Sequence, residues 1–307
     1  MLSEAIEAKG HKVIHAQRDA DVLIALTALK VAETRDVVAI GEDTDILVLL
    51  LYHITSDHKQ VVFKSAMKQR SSKSTKVWDV NKTQTVLGKK LCRALPVIHA
   101  ITGCDTTSQL YGIGKGASLK KFCANDNLVQ LADVFLAKSM KEAIETAGEN
   151  ILVLLYGGLP VEGLNILRFR KFSTKVMSSS THVQVQTLPP TSAAAKYHSL
   201  RVYFQVQEWI VDETSFLPTD WGWTIRQNKL VPLKTDLPAA PDNLLNMIRC
   251  RCKQNCDSKR CTCRKNGLEC STGCSECRGV SCTNAAIAPE IDSDEEQIVP
   301  NFDQRSK

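Results

Sequence analysis

The chain has 307 residues, of which 43% are apolar, 23% charged and only 6% aromatic. That is enough length and apolar content to bury a sizeable core, which excludes collagen, disorder throughout and a disulfide-only miniprotein. Thirty-nine basic against 33 acidic residues leave a net charge of +6, a balance that permits nucleic-acid binding without demanding it.

No basic region followed by an apolar stretch opens the chain, so no secretory signal is visible. The apolar runs Ile46–Tyr52 and Ile151–Tyr156 are far short of the roughly 20 residues of a membrane-spanning helix. A soluble, intracellular protein without a membrane partner is expected. Residues 1–160 read as an α/β domain. Val22, Leu23, Leu26 and Leu29 have helical spacing, and Asp19 stands at the start of that helix. Asp36–Ile40 reads as a short buried strand ending at Gly41. The run Ile46–Leu51 fits helix better than strand, because Asp43 and Thr44 suit a helix start. Val61–Lys64 is a second strand. Thr83–Ile101 reads as helix, kinked or divided at Pro96. Strands alternating with helices predict a parallel sheet.

Lys64–Lys76 carries five basic residues and no acid among serines, the composition of a solvated loop. Phe172–Ala195 is rich in Ser and Thr and contains Pro189–Pro190, so residues 161–245 are expected to form a linker and a small Trp-rich element. Residues 246–284 form a cysteine-rich domain. The tail 285–307, with six acids and two bases, is expected to be disordered.

Nine of the 12 cysteines fall between Cys250 and Cys282, whereas Cys92, Cys104 and Cys123 read as small buried hydrophobes. A dense thiol cluster in an intracellular chain points to metal rather than disulfides. The thiols group as Cys250, Cys252 and Cys256; Cys261, Cys263 and Cys270; and Cys274, Cys277 and Cys282. Tetrahedral zinc takes four ligands. Two separate four-thiolate sites would strand one cysteine. Three zincs close the count if three thiolates each bridge two metals.

CRCKQNC, CTCRKNGLEC and CSEC resemble the tesmin-type CXC domain, a three-zinc DNA-binding module. The last group, CSECRGVSC, departs from that family's C-x-C-x2-C spacing. The resemblance implies a minor-groove role for Arg260, just before the second C-x-C pair, and phosphate contacts from Lys253, Lys259, Arg264 and Lys265. Arg249–Thr283 holds eight basic and three acidic side chains. Three zincs with nine thiolates would bring the module down to about +2, so its own DNA affinity is expected to be modest and salt-sensitive.

Asp19, Asp21, Asp43, Asp45 and Asp105 form a second constellation. Each alone has the ordinary explanation of a helix start. Beyond the carboxyl ends of parallel strands, however, converging carboxylates could hold Mg²⁺ or Mn²⁺. GEDTDILVLL followed by ITGCDTTSQLYGIGKGASLKKF resembles the PIN/flap-endonuclease superfamily. That resemblance implies metal-binding roles for these five aspartates. It also implies a helical-hairpin turn at Gly112–Gly116, where Gly112, Gly114, Lys115, Lys120 and Lys121 would meet a DNA phosphate.

With PPTSAAAKYHSLRVYFQVQEW and WGW between them, the two motifs resemble an invertebrate CXC-domain group of transposon-like distribution. Such nucleases open with a further Asp-bearing strand before the region matched here, so an N-terminally truncated and inactive nuclease-like domain is implied. The reading that results is a nuclear, zinc-containing DNA-binding protein. Its alternatives are an active Mg²⁺- or Mn²⁺-dependent nuclease and a zinc-stapled interaction module.

Overall fold

The structure, a computed structural model, describes residues 2–68, 75–159, 161–178, 183–210, 216–236, 249–253, 255–271, 273–280 and 282–285. The chain divides into two compact units: residues 1–174 with 184–239, and residues 175–183 with 240–307. The first is a mixed α/β unit. The second contains the cysteines.

After helix α1 (Leu2–Glu7), α2 (Ala20–Ala32) begins at Asp19, whose side chain accepts a hydrogen bond from the Asp21 amide. Strand β1 (Val37–Ile40) leads into α3 (Thr44–His53), which Asp43 caps in the same way. Each aspartate satisfies a first-turn N–H that the helix itself leaves unpaired. Both expected helix starts are present.

β2 (Val61–Lys68) pairs parallel to β1 and antiparallel to β3 (Thr75–Asp79). The expected parallel sheet is therefore a small mixed one of three strands. Lys64–Lys68 and Thr75–Lys76, expected to lie in a loop, belong to a β-hairpin; residues 69–74 lie outside the described residues. Nor is β1 buried as expected. It is an edge strand, with Ala39 in the core and Val38 and Ile40 about 60% exposed.

The helical stretch expected over Thr83–Ile101 is two helices, α4 (Val80–Leu87) and α5 (Lys89–Thr102). They part at Gly88, whose φ of 81° suits glycine, while Pro96 sits inside α5 without dividing it. From Leu91 to Thr102 every α5 residue except Arg93 is buried. Around it pack α3, α6 (Lys115–Ala124), α7 (Asp126–Leu136) and α10 (Ser192–Ile210). Helices α8 (Lys141–Leu155) and α9 (Leu164–Ser178) precede α10 in the chain. A hairpin, β4 (Trp223–Arg226) with β5 (Lys229–Pro232), follows it.

The boundary expected at residue 160 does not divide the core. Leu164, Leu167, Leu200, Tyr203, Val206 and Trp209 are buried in the same cluster as Leu49, Ile101 and Ile151. Helix α10, expected within the linker and small Trp-rich element, instead places its apolar face in this core. Cys92 is buried and Cys104 half-buried, whereas Cys123 is exposed, contrary to expectation. No helix among the described residues is long and apolar enough to cross a membrane. The acidic tail, apart from Ala285, lies outside the described residues.

Helices α8 and α10 approach most closely at Gly148. A Cβ there would sit 1.9 Å from Ser199 Oγ and 2.5 Å from Ser199 Cβ. Gly148→Ala is expected to push the two helices apart and cost about 1–3 kcal/mol. A lowered urea midpoint checks this, and an unchanged midpoint would contradict the packing described.

Candidate functional site

In the second unit the nine cysteines form one cluster. Cys250, Cys256, Cys261, Cys263, Cys270, Cys274 and Cys277 are buried, with Cys252 and Cys282 packed against them. Among the described residues here, one short helix, α11 (Thr262–Lys265), starts at Cys261. Positive φ values at Gly267 and Gly279 help to fold the segment back on itself. A Cβ on Gly279 would meet the Cys270 carbonyl at 2.5 Å, so only glycine fits there.

The sulfur spacings carry the chemistry. Cys250 Sγ lies 3.6 Å from Cys256 and 3.8 Å from both Cys270 and Cys277. Cys261 lies 3.8 Å from Cys270, and Cys263 lies 3.6 Å from Cys274. A disulfide would need about 2.05 Å. Four sulfurs about 2.3 Å from one zinc stand about 3.8 Å apart along the tetrahedron's edges. The donor set fits a thiophilic tetrahedral ion.

Four overlapping tetrads have their sulfurs within 4.8 Å of one another: 250/252/256/261, 250/261/263/270, 250/270/274/277 and 256/270/277/282. Burial pushes the Cys256 and Cys270 thiols well above their ordinary value and Cys263 to about 12. Cys261 is held at about 6: burial opposes its ionisation, but the Arg264 amide and neighbouring thiols outweigh it. So crowded a set cannot ionise together without a cation among them.

Of the basic residues singled out here, Lys253, Lys259, Arg260 and Lys265 are exposed. Arg264 is occupied within the module, donating from Nε to the Cys256 carbonyl at 2.7 Å and from Nη2 to the Thr283 carbonyl at 3.1 Å. It ties the two ends of the cysteine segment together.

In the α/β unit, Asp21, Asp43 and Asp45 bring carboxylate oxygens within 4.8 Å of one another. Asp19 stands beside them but is engaged, accepting from the Asp21 amide and, at 3.3 Å, from Trp209 Nε1. Asp105 is exposed and close enough to act on Asp21 through its charge. Burial first, then the charges of Asp19, Asp43, Asp45 and Asp105, raise the Asp21 pKa to about 6. Asp45 moves the other way. Burial would raise it, but a 2.6 Å contact with His99 Nε2, aided by Asp43 and Lys115, holds its carboxyl below the usual value.

His99 was not singled out in the sequence, where a lone histidine inside an apolar helix gives no signal. Its ring is 95% buried, flanked by Trp209, and its Nε2 also lies 2.6 Å from Lys115 Nζ. Lys115 thus leans toward the carboxylates. Lys121 donates to the carbonyls of Leu154 and Leu155, closing the end of α8, while Lys120 is exposed. Gly112 has a φ of 72°, and Gly114 begins α6 without a side-chain cap.

Comparisons with family models, curated proteins and solved structures found no match to this chain.

The raised Asp21 pKa sets a pH dependence. Below about pH 4 the proton is bound in both folded and unfolded states. Between about 4 and 6 the unfolded chain releases it while the folded chain keeps it, so stability falls as pH rises through that window. Asp21→Asn removes this loss. Without added divalent ion, the variant's urea midpoint is expected to gain on the parent's between pH 4 and pH 7. Parallel midpoints would contradict the assignment.

Proposed function

We propose that the chain is a nuclear DNA-binding protein whose cysteine segment holds three zinc ions. The observation that carries this is the sulfur cluster, with all nine thiols gathered in overlapping sets within 4.8 Å, several pairs at tetrahedral-edge spacing, and no disulfide among them. The tetrads 250/252/256/261 and 256/270/277/282 share Cys256 and leave Cys263 and Cys274, which are 3.6 Å apart. The third set of this proposal would join that pair to Cys261 and Cys270, themselves 3.8 Å apart, a combination outside the four tetrads above that zinc would have to draw together. Cys256, Cys261 and Cys270 then bridge, and every thiolate is used.

The likeness of the cysteine pattern to the tesmin-type CXC domain, and the exposed Lys253, Lys259, Arg260 and Lys265, support DNA as the partner. The α/β unit is read as a PIN-like nuclease domain that does not cleave. Asp45 is engaged by His99, with Lys115 alongside, so part of the carboxylate charge is already met by this chain's own side chains without a divalent ion. Their convergence supports the second reading, an Mg²⁺- or Mn²⁺-dependent nuclease.

Native mass spectrometry of the reduced, zinc-reconstituted chain is expected to find three zincs, with chelation unfolding the cysteine unit. Two or fewer metals would refute the count.

On DNA, Arg260→Ala is expected to weaken binding and reduce a preference for A·T-rich duplexes. Lys265→Ala is expected to weaken all duplexes about equally. Gel shifts on A·T-rich and G·C-rich duplexes distinguish the two, and equal behaviour would contradict the Arg260 assignment. The same DNA incubated in Mn²⁺ is expected to stay intact. Cleavage that disappears with Asp43→Ala would favour the nuclease.

A further inference from the structure

One cavity of the α/β unit belongs to neither cluster. Its volume of about 410 Å³ lies in the range of small-molecule sites, roughly 300–1,000 Å³. Helix α10, the loop 108–111, residues 185–190 and the segment after β5 contribute to its lining.

Its titratable lining is one-signed: Arg168, Arg201 and Lys234, with the neutral groups Tyr156 and His198 and no carboxylate. Arg168 donates to the Pro189 carbonyl, and Arg201 donates from Nη1 to the carbonyls of Gly222 and Leu233. Burial pushes both guanidinium pKa values down, opposed at Arg168 by Tyr156, and no carboxylate contributes to either shift. Arg201 in particular is held out of water by neutral carbonyls and the Trp223 ring, which is costly for a cation, and an anion would offset that cost.

Two polar atoms of the lining side chains lack any partner. His198 is 95% buried, and its Nε2 lies 2.9 Å from the Ile101 carbonyl. A carbonyl only accepts, so Nε2 carries the hydrogen and Nδ1 is left as a bare lone pair, without a partner. The pKa, lowered to about 4 by burial, keeps this ring neutral near pH 7. One turn along α10, Arg201 Nε is a buried donor, also without a partner. Two residues that line the cavity, one turn apart on α10, therefore carry one unused acceptor and one unused donor. Such groups normally find partners in a finished structure.

A carboxylate or sulfate offers acceptors only. A phosphate monoester, whose second pKa is about 6, offers oxygens to the guanidinium groups and, when singly protonated, a hydroxyl as well. Tyr111 and the apolar lining provide a surface for a planar body. We propose that this cavity binds an organic phosphate, its phosphoryl group among Arg168, Arg201 and Lys234 and its body against Tyr111. A free nucleotide and the 5′-phosphate end of DNA share that chemistry.

The test is calorimetry on the full zinc-loaded chain, with dAMP, deoxyadenosine, inorganic phosphate and sulfate as probes. One dAMP per chain is expected, bound at least about tenfold more tightly than deoxyadenosine or sulfate. Lys234→Gln, at the exposed edge, should weaken dAMP up to about fivefold. Arg168→Gln should weaken it further, with circular dichroism confirming the fold. A 5′-phosphorylated duplex that displaces dAMP, where its 5′-hydroxyl counterpart does not, would identify the DNA end as the source. Binding of dAMP without such displacement would identify a free nucleotide. No saturable binding of dAMP or inorganic phosphate would overturn the proposal. So would equal affinity of parent and both folded variants.

Discussion

Helix α5 is the constraint on which the α/β unit depends. Almost every side chain from Leu91 to Thr102 is out of water, so its neighbours are held by what they must cover. Apolar burial of this kind has no direction of its own, but it leaves little freedom to the few polar groups caught within it. His99 is one of them, and its Nε2 turns toward Asp45 and Lys115. At the far end, the Ile101 carbonyl receives His198 from α10. One buried helix thereby positions groups of both the carboxylate cluster and the cationic cavity.

The two units are held together by different physics. The α/β unit has a continuous apolar cluster from Ala25 to Trp221. The cysteine unit has sulfur where other domains have Leu and Val: among its described residues the buried cluster is made of cysteines. Thiols at that spacing contribute little hydrophobic stabilisation, and their crowding penalises ionisation. The same spacing would become strongly favourable with cations shared among the sulfurs, and metal binding would then be coupled to folding in this segment. Arg264 shows how tightly charge is used there, since it binds backbone carbonyls instead of facing outward.

Charge in the α/β unit is segregated. Carboxylates gather where α2 and α3 begin, with Lys115 and His99 as their internal counterweight, while Arg168, Arg201 and Lys234 meet around a separate cavity with no acid in its lining. Ion pairing does not cancel the two groups against each other. Each keeps an unbalanced local field, the condition under which a site attracts a ligand of opposite sign.

Much of this was legible from local pattern. Asp19 and Asp43 announced helix starts because a short carboxylate before an apolar run satisfies orphan amides, a rule that needs no tertiary context. The cysteine spacing announced one thiol cluster because nine thiols within 33 residues cannot stay far apart. Tertiary structure alone decided the rest. Gly88, not Pro96, breaks the helix, since the packing around α5 tolerates the proline. The segment after residue 160 joins the core because α10 covers α5 and α8. His99, His198 and Arg201 acquire their roles only where distant helices meet, and a contact between residues about a hundred positions apart leaves no periodicity to read. Capping and ligand spacing are short-range and written into the chain. Burial and the pairing of buried charge are long-range, and depend on which surfaces finally exclude water.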